Sequence, residues 1–270
     1  MTGMELVRHR RSVRTFDGNA LRAEDTEKLM SYAENLTNPF GLPISWRILN
    51  AKDNGLTSQV IVGSETFIAG KMQRAPHAEE AFGYAFEDLV LYAESLGLGT
   101  TIIAGTMNRQ TFERVMEVGP DEVLPCVSPL GYPAQKMSMR ESIMRKSIKA
   151  DTRLDFDELF FDKTFDAPLT QASAGSLAEP LEMVRWAPSA VNKQPWRIVV
   201  DGNTAHFYEK KSKGYVDGTG WDLQKIDIGI AMYHFALGLE EQKHSVSFSV
   251  NDPGIPARPD TEYIISAEIL

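Results

Sequence analysis

The chain repeats parts of its own sequence at an interval close to 150 residues. Three pairs of similar segments occur in the same order, with offsets of 149, 150 and 146 residues, and they align Phe16 with Phe165, Trp46 with Trp196, and Gly83 with Gly229. Such a repeat restricts the folds open to the chain, because each copy must form a similar unit. We therefore predict a tandem duplication, with one half over residues 1–155 and the other over 156–270. The alternative is that two unrelated segments share strand and helix sequences common in α/β proteins.

Both halves interleave predicted helices and strands, which indicates an α+β or α/β protein. Two segments, 78–99 and 225–242, are apolar on most faces of a helix, so we expect each helix to lie in a core or a large interface. Segments rich in β-branched and aromatic residues predict strands over 46–51, 58–63, 100–105, 196–200, 204–209, 246–250 and 262–270. We expect the basic stretch 137–155 to be irregular. Ser176 and Glu179 have the spacing of a capping box.

Composition excludes several classes of function. The net charge of −9 argues against nucleic acid as a main partner, because that binding depends on clustered cations. No apolar run approaches the ~20 residues that span a bilayer, so we expect no membrane partner. The N-terminal sequence has no apolar core of a secretory signal, which predicts a cytoplasmic protein. The single cysteine, Cys126, cannot form an internal disulfide, and we expect it to be a small buried hydrophobe.

The two copies differ most where ligand chemistry is expected. The first copy carries the cationic cluster Arg10-Arg11-Ser12-Val13-Arg14, where the second has Leu-Phe-Phe-Asp-Lys at 159–163. The second copy carries the polar loop APSAVNKQPW at 187–196, where the first has a divergent sequence. Each copy has therefore kept a feature that the other has lost. Taken alone, the cluster has the alternative of a solvated basic terminus, and the loop that of a plain connection from helix to strand.

Four segments together resemble the nitroreductase family of FMN-dependent oxidoreductases. They are RRSVRTFD at 10–17, GLGTTIIAG at 97–105, GYPAQ at 131–135 and APSAVNKQPWRI at 187–198. The resemblance implies a three-layer α/β/α fold and, in typical members, intertwined homodimers with FMN bound at the interface. Because this chain joins two similar copies, we expect an internal pseudo-dimer that functions as a monomer and keeps one of two flavin sites.

The resemblance also implies which residues hold FMN, and the chemistry of the phosphate agrees with it. A phosphate dianion is best bound by guanidinium groups and a hydroxyl donor. The residues expected at the phosphate are Arg10, Arg11, Ser12 and Arg14, with Lys149 and Arg153 as additions. The residues expected beside the flavin ring are Ile103, Ala104 and Gly105 on one side and Pro188, Ser189, Ala190 and Asn192 on the other.

The predicted function is reduction of a nitroaromatic, a quinone or a similar small acceptor by NADH or NADPH through FMN. The flavin carries the redox step in such enzymes, so we nominate no catalytic side chain. The histidines show no ligand spacing, and we expect no metal, although three aspartates near 155–162 leave that alternative open. The alternatives in function are a flavin-binding protein without turnover, used for storage or sensing, and a specialised flavin chemistry such as reductive dehalogenation.

Overall fold

A computed structural model of the chain describes residues 1–216 and 221–270. The described residues pack as two compact units. The N-terminal unit comprises residues 8–78 and 85–150, and the C-terminal unit comprises residues 1–7, 79–84 and 151–270. The functional division at residue 155 stays a prediction.

The N-terminal unit is built around a small antiparallel sheet. The helices and strands up to residue 150 are α1 (Gly3–His9), α2 (Ala23–Ala33), β1 (Ser45–Asn50), α3 (Ala51–Asn54), β2 (Thr66–Gln73), α4 (Ala78–Ser95), α5 (Arg109–Val115), β3 (Glu122–Val123), β4 (Val127–Leu130) and α6 (Met139–Ser147). Of these, α1 up to residue 7 and residues 79–84 of α4 belong to the C-terminal unit. Strand β2 is central, because it pairs with β1, β3 and β4. A core of buried apolar side chains, with Phe67 and Phe112 in edge-to-face contact, packs against this sheet.

The C-terminal unit contains a five-stranded sheet in the order β5-β6-β7-β9-β8. Its elements are α7 (Phe156–Leu159), β5 (Phe160–Asp162), α8 (Ala178–Trp186), β6 (Trp196–Asp201), β7 (Thr204–Lys210), α9 (Leu223–Glu241), β8 (Val246–Ser249) and β9 (Thr261–Ile269). Only β5 and β6 run parallel within it; the other pairs are antiparallel. Gly202, with φ of 59°, forms the two-residue turn that reverses the chain between β6 and β7.

The two units repeat one order of elements, which confirms the α+β class and agrees with the sequence repeat. An antiparallel pair, β1–β2 or β6–β7, precedes a long buried helix, α4 or α9, and a later strand pairs with the second strand of the pair. Trp46 faces Gly70 across the first pair, and Trp196 faces Glu209 across the second. The aligned glycines of the two long helices lie at a close approach inside the C-terminal unit, to which residues 79–84 of α4 belong. A Cβ added to Gly83 would lie 2.0 Å from Ile226 O, and one added to Gly229 would lie 2.1 Å from Glu80 O.

Several local predictions are wrong. Residues 58–63 form turns and bridges rather than a strand, and the strand forms instead at Thr66–Gln73, where partners are present on both sides. Residues 100–105 contain only isolated bridges, one of them between Ile103 and Val127.

Two predictions about helices are also wrong. The stretch predicted as irregular contains α6, which begins after Ser138, whose side chain accepts a hydrogen bond from the Glu141 N–H. The capping box is absent at Ser176, since α8 has Leu177 at its N-cap, and it occurs at Asp155 and Glu158. Among the described helices, none is long and apolar enough to cross a membrane.

Candidate functional site

The arginine cluster lies in an extended segment that follows α1. The Val13 N–H donates to Thr100 O at 2.8 Å, and Ser12 and Thr100 form a parallel bridge. Farther along, the Phe16 N–H donates to Val62 O at 2.9 Å. These backbone bonds fix the course of the segment, so its polar side chains project from a defined position.

Arg14 carries a buried polar atom with no partner. Its Nη1 makes no hydrogen bond within the part of the chain that the structure describes. Burial lowers the pKa of the Arg14 guanidinium, Glu141 opposes this, and the charge of Arg145 lowers the pKa further. Burying a guanidinium without a full set of acceptors is unfavourable. An anion that accepts a bond from Nη1 would compensate for that cost.

Arg10 and Arg11 lie against acidic side chains of the same unit. Arg10 Nε is 3.7 Å from Glu87 Oε1 on α4, and both side chains are almost fully buried. Arg11 Nη1 donates to Glu141 Oε1 at 3.3 Å, and Thr15 Oγ1 donates to the other carboxylate oxygen of Glu141 at 2.7 Å. Buried carboxylates therefore lie beside the first two arginines, while Arg10 Nε and Arg14 Nη1 both lack a hydrogen-bond partner among the described residues.

The residues predicted beside one face of the flavin ring also belong to the N-terminal unit. Ile103 is buried and exchanges two backbone bonds with Val127, at 2.8 and 2.9 Å. Ala104 O accepts a hydrogen bond from Arg109 Nη2 at 3.1 Å. Gly105 is exposed, and a Cβ added to it would meet no atom within 4 Å. The backbone at Gly105 is therefore open to a ligand.

The two predicted accessory cations fall in different units. Lys149 follows α6 in the N-terminal unit with φ of 50°. Arg153 belongs to the C-terminal unit, where its guanidinium lies 5.0 Å from the centre of the Trp186 ring. Its two terminal nitrogens donate to Thr152 O and Trp186 O, at 2.8 and 3.3 Å. Arg153 therefore holds the end of α8 in the structure, and its part in binding phosphate stays a prediction.

The loop at 187–195 has a strained backbone. Val191, Asn192 and Gln194 have φ angles of 52°, 56° and 50°, in the left-handed region that side chains other than glycine rarely adopt. Three such residues within four positions persist only where the surroundings fix them. Strain of this kind clusters at binding sites, which makes the loop a site candidate on structural grounds.

Side-chain hydrogen bonds supply that fixation. Ser189 Oγ accepts from the Gln194 N–H at 2.8 Å, and Asn192 Nδ2 donates to Thr152 O at 3.1 Å. The Ala190 N–H donates to both carboxylate oxygens of Asp227 on α9, at 3.0 and 3.1 Å. One short loop of the C-terminal unit therefore contains the four predicted residues Pro188, Ser189, Ala190 and Asn192. Hydrogen bonds within the loop and to neighbouring segments of the same unit fix its conformation.

Two further buried acidic residues, Asp222 and Glu209, lie close enough to Asp227 to act on its charge. Burial raises the pKa of Asp227 well above its ordinary value, the bond from Ala190 opposes this, and Asp222 and Glu209 raise it further. Burial also raises the pKa of Glu209 to about 8, with Asp222 adding to the rise. Neither carboxylate oxygen of Glu209 has a hydrogen-bond partner among the described residues.

Sequence reasoning missed Glu87, Glu141, Arg145 and Asp227. Each of them contacts a predicted site residue or shifts its pKa, but lies far from that residue in the sequence. No local sequence motif therefore indicates these four residues. The prediction for Cys126 is confirmed, since it is fully buried in the N-terminal unit. In the described parts of the chain, no group of His, Cys, Asp and Glu has an arrangement suited to a metal ion.

A cavity of about 560 Å³ occurs in the C-terminal unit, away from the predicted residues. It lies between the segment 167–177, the turn at Gly202, the end of α9 and the last strand. None of the predicted flavin residues lines it.

Comparison with known structures shows similarity over nearly the whole chain to a solved structure. This is the crystal structure of a "putative nitroreductase" from Thermotoga maritima, with 20% identity, a TM-score of 0.64, and coverage of 99% of this chain and 94% of that one. A nitroreductase family protein from Clostridium difficile 630 is 16% identical with a TM-score of 0.46, over 58% of this chain and 96% of that one. An FMN-dependent nitroreductase from Clostridium difficile R20291 is 18% identical with a TM-score of 0.42, over 52% of this chain and 94% of that one.

No curated protein matches the sequence. The family model described as "Putative TM nitroreductase" matches residues 3–239, which is most of the chain. The chain therefore belongs to this nitroreductase family.

Proposed function

We propose that the chain binds FMN and acts as an NAD(P)H-dependent oxidoreductase on small acceptors such as nitroaromatics or quinones. Membership of the nitroreductase family supports this proposal. The observation that carries it is the buried Arg14 Nη1, which lacks an acceptor among the described residues and is suited to an anionic oxygen. A phosphate monoester provides such an oxygen with geometry that matches a guanidinium group.

The phosphate ligands in this proposal are Arg14 and Ser12, with Arg145 adding positive charge. Arg10 and Arg11 lie beside them in the same segment, each paired with a buried carboxylate that fixes its position. Those carboxylates also offset part of the positive charge, so Arg14 contributes most to holding an anion. Lys149 and Arg153 have secondary parts.

The ring contacts in this proposal come from two other segments. Of Ile103, Ala104 and Gly105, it is Gly105 that offers an open backbone to the ring, while the backbone bonds of Ile103 to Val127 fix the segment in place. Pro188, Ser189, Ala190 and Asn192 offer a preformed loop whose strain is already offset by internal bonds. A preformed loop loses little conformational entropy when a ligand binds, which favours affinity.

When bound, FMN supplies hydride transfer between a nicotinamide and the acceptor. The residues of this chain bind the cofactor, orient its ring and keep its phosphate fixed. No side chain is assigned as an acid, base or nucleophile. We further propose that the chain functions as a monomer, because the repeat provides within one chain the two copies that a homodimer provides with two.

Anaerobic mixing of the FMN-loaded chain with NADH or NADPH in a stopped-flow spectrometer tests the proposal. We expect the flavin absorbance near 450 nm to bleach rapidly and to recover when a quinone or nitroaromatic acceptor is added. Bound flavin that stays oxidised with both nucleotides would contradict the enzyme function and would favour a binding protein. A chain that binds no FMN would contradict the proposal entirely.

A further inference from the structure

Asp227 connects the longest buried helix of the C-terminal unit to the loop at 187–195. Its two carboxylate oxygens accept the same N–H, that of Ala190, at 3.0 and 3.1 Å. The Asp227 side chain is buried, with the residue only 3% exposed. A buried carboxylate is costly unless it is hydrogen-bonded, so this contact is a specific requirement of the folded chain rather than a chance surface bond.

The other copy of the repeat lacks this side chain. The alignment of Gly83 with Gly229 places Ala81 of α4 opposite Asp227 of α9. Both positions are buried on their helices, at 0% and 3% exposure. The first copy also lacks the Pro-Ser-x-x-Asn loop. The buried acid therefore occurs in the copy that has the loop, and an alanine takes its place in the copy that does not.

The loop needs an anchor at this position. Ala190 immediately precedes Val191 and Asn192, two of the three residues with left-handed backbone angles. Local bonds such as Gln194 N–H to Ser189 Oγ close the loop on itself but do not tie it to a regular element. The bond from Ala190 to Asp227 ties it to α9, which is buried over most of its length.

We propose that Asp227 is a positioning residue for the flavin ring, which fixes the loop at 187–195 against α9 by accepting the Ala190 N–H. This inference rests on the proposed binding of FMN by the chain. Asp227 acts through the loop and is not itself assigned a contact with the flavin. Its role requires a hydrogen-bond acceptor at this position, which an asparagine also provides.

The test uses the full-length chain with three variants. Asp227→Ala removes the acceptor, Asp227→Asn keeps one acceptor oxygen, and Leu239→Ala is a matched control. Leu239 is fully buried on the same helix, about 18 Å farther along at 1.5 Å per residue, and lines the cavity away from the loop. Two quantities are measured: the dissociation constant of FMN by fluorescence titration of the apoprotein, and the exchange rate of the Ala190 amide by NMR.

We expect Asp227→Ala to weaken FMN binding about 10-fold or more and Asp227→Asn to stay within about 3-fold of the parent chain, as for loss and retention of one buried hydrogen bond. The Ala190 amide should exchange faster in Asp227→Ala alone. Equal FMN affinity and equal amide exchange in the parent chain and Asp227→Ala would overturn the proposal. A loss of FMN affinity in Leu239→Ala as large as that in Asp227→Ala would also overturn it, because general destabilisation would then explain the effect.

A fourth variant, Ala190→Pro, keeps the proposal testable if Asp227→Ala fails to fold. Ala190→Pro removes the donor from the loop side of the same bond, and Ser189 already has the extended backbone that a residue before proline prefers. We expect Ala190→Pro to weaken FMN binding about 10-fold, and its combination with Asp227→Asn to be no weaker than Ala190→Pro alone. Unchanged FMN affinity in Ala190→Pro would overturn the positioning role. A parent chain that binds no FMN would overturn the proposed function and this inference together.

Discussion

Gly83 on α4 and Gly229 on α9 make reciprocal contacts across a helix crossing. A Cβ on Gly83 would meet Ile226 O, three residues before Gly229, and a Cβ on Gly229 would meet Glu80 O, three residues before Gly83. Glu80, Gly83, Ile226 and Gly229 all belong to the C-terminal unit, so this crossing is part of the internal packing of that unit.

Substitution of either glycine tests this crossing. We expect Gly83→Ala and Gly229→Ala each to destabilise the chain by about 2–3 kcal/mol, because the overpacking of a backbone oxygen outweighs the better helix propensity of alanine. The midpoint of urea unfolding measures the effect. Gly119→Ala is the control, since its nearest neighbour would lie at 3.4 Å. An effect in Gly119→Ala equal to that of the two helix variants would contradict the close approach.

Arg14 provides a prediction on cofactor affinity. We expect Arg14→Ala to weaken FMN binding by about 10- to 150-fold, which is the loss of one charged hydrogen bond of ~1.5–3 kcal/mol. Arg47→Ala is the matched control, because Arg47 forms an exposed pair with Glu117 at 2.9 Å and should leave FMN affinity unchanged. Fluorescence titration measures both. Equal affinities in the two variants would remove Arg14 from the phosphate site.

Glu209 predicts a dependence of stability on pH. Its pKa is about 8 in the folded chain against an ordinary value of 4.5. Between these two pH values, Glu209 is deprotonated in the unfolded chain and protonated in the folded chain. The free energy of unfolding therefore falls as the pH rises from 4.5 to about 8, and it does not change further through this group above that pH. Below pH 4.5 both states are protonated and the contribution is constant.

We therefore expect Glu209→Gln to be more stable than the parent chain at pH 9, by on the order of 2–4 kcal/mol, with little difference at pH 4. Unfolding curves in urea across this range measure it. Glu268→Gln, at an exposed position on β9, is the control. A difference between Glu209→Gln and the parent chain that does not grow with pH would contradict the raised pKa.

Removal of the Glu87 charge should lower the stability of the folded chain, because Glu87 is the buried partner of Arg10. Because Arg10 is nearly buried against it, Glu87→Gln leaves a guanidinium without its neutralising charge, and we expect a loss of about 3 kcal/mol in stability. Glu94→Gln on the same helix is the comparison, since Glu94 pairs with the exposed His9 and should change stability by less than about 1 kcal/mol. If the two variants have the same unfolding midpoint, the ion pair between Arg10 and Glu87 contributes nothing to the stability of the folded chain.

The repeat and the helix periodicity predicted most of the fold. The buried helices α4 and α9 follow from their apolar faces, and β6, β7 and β9 from their β-branched residues. Strand β2 was missed because Gly70 and Lys71 interrupt its apolar pattern, yet pairing on both sides stabilises it. Tertiary pairing overrides local propensity in such cases.

Sequence reasoning predicted the motifs of the candidate site but not what holds them. The arginine segment and the polar loop are continuous in sequence and differ between the copies. Asp227 lies within an apolar helix, 37 residues from the amide it accepts, and Glu141 lies 130 residues from Arg11. A position-by-position comparison of the two copies would have found Asp227, because an acid there replaces the alanine at position 81 of the first copy.

The number of FMN molecules bound per chain tests the account most directly. The chain is reconstituted with excess FMN, freed of unbound flavin by gel filtration and denatured, and the released flavin is counted against protein. We predict one FMN per chain, since the arginine segment occurs in one copy and the polar loop in the other. Two FMN per chain would show that both copies kept a complete site, and none would contradict flavin binding by this chain.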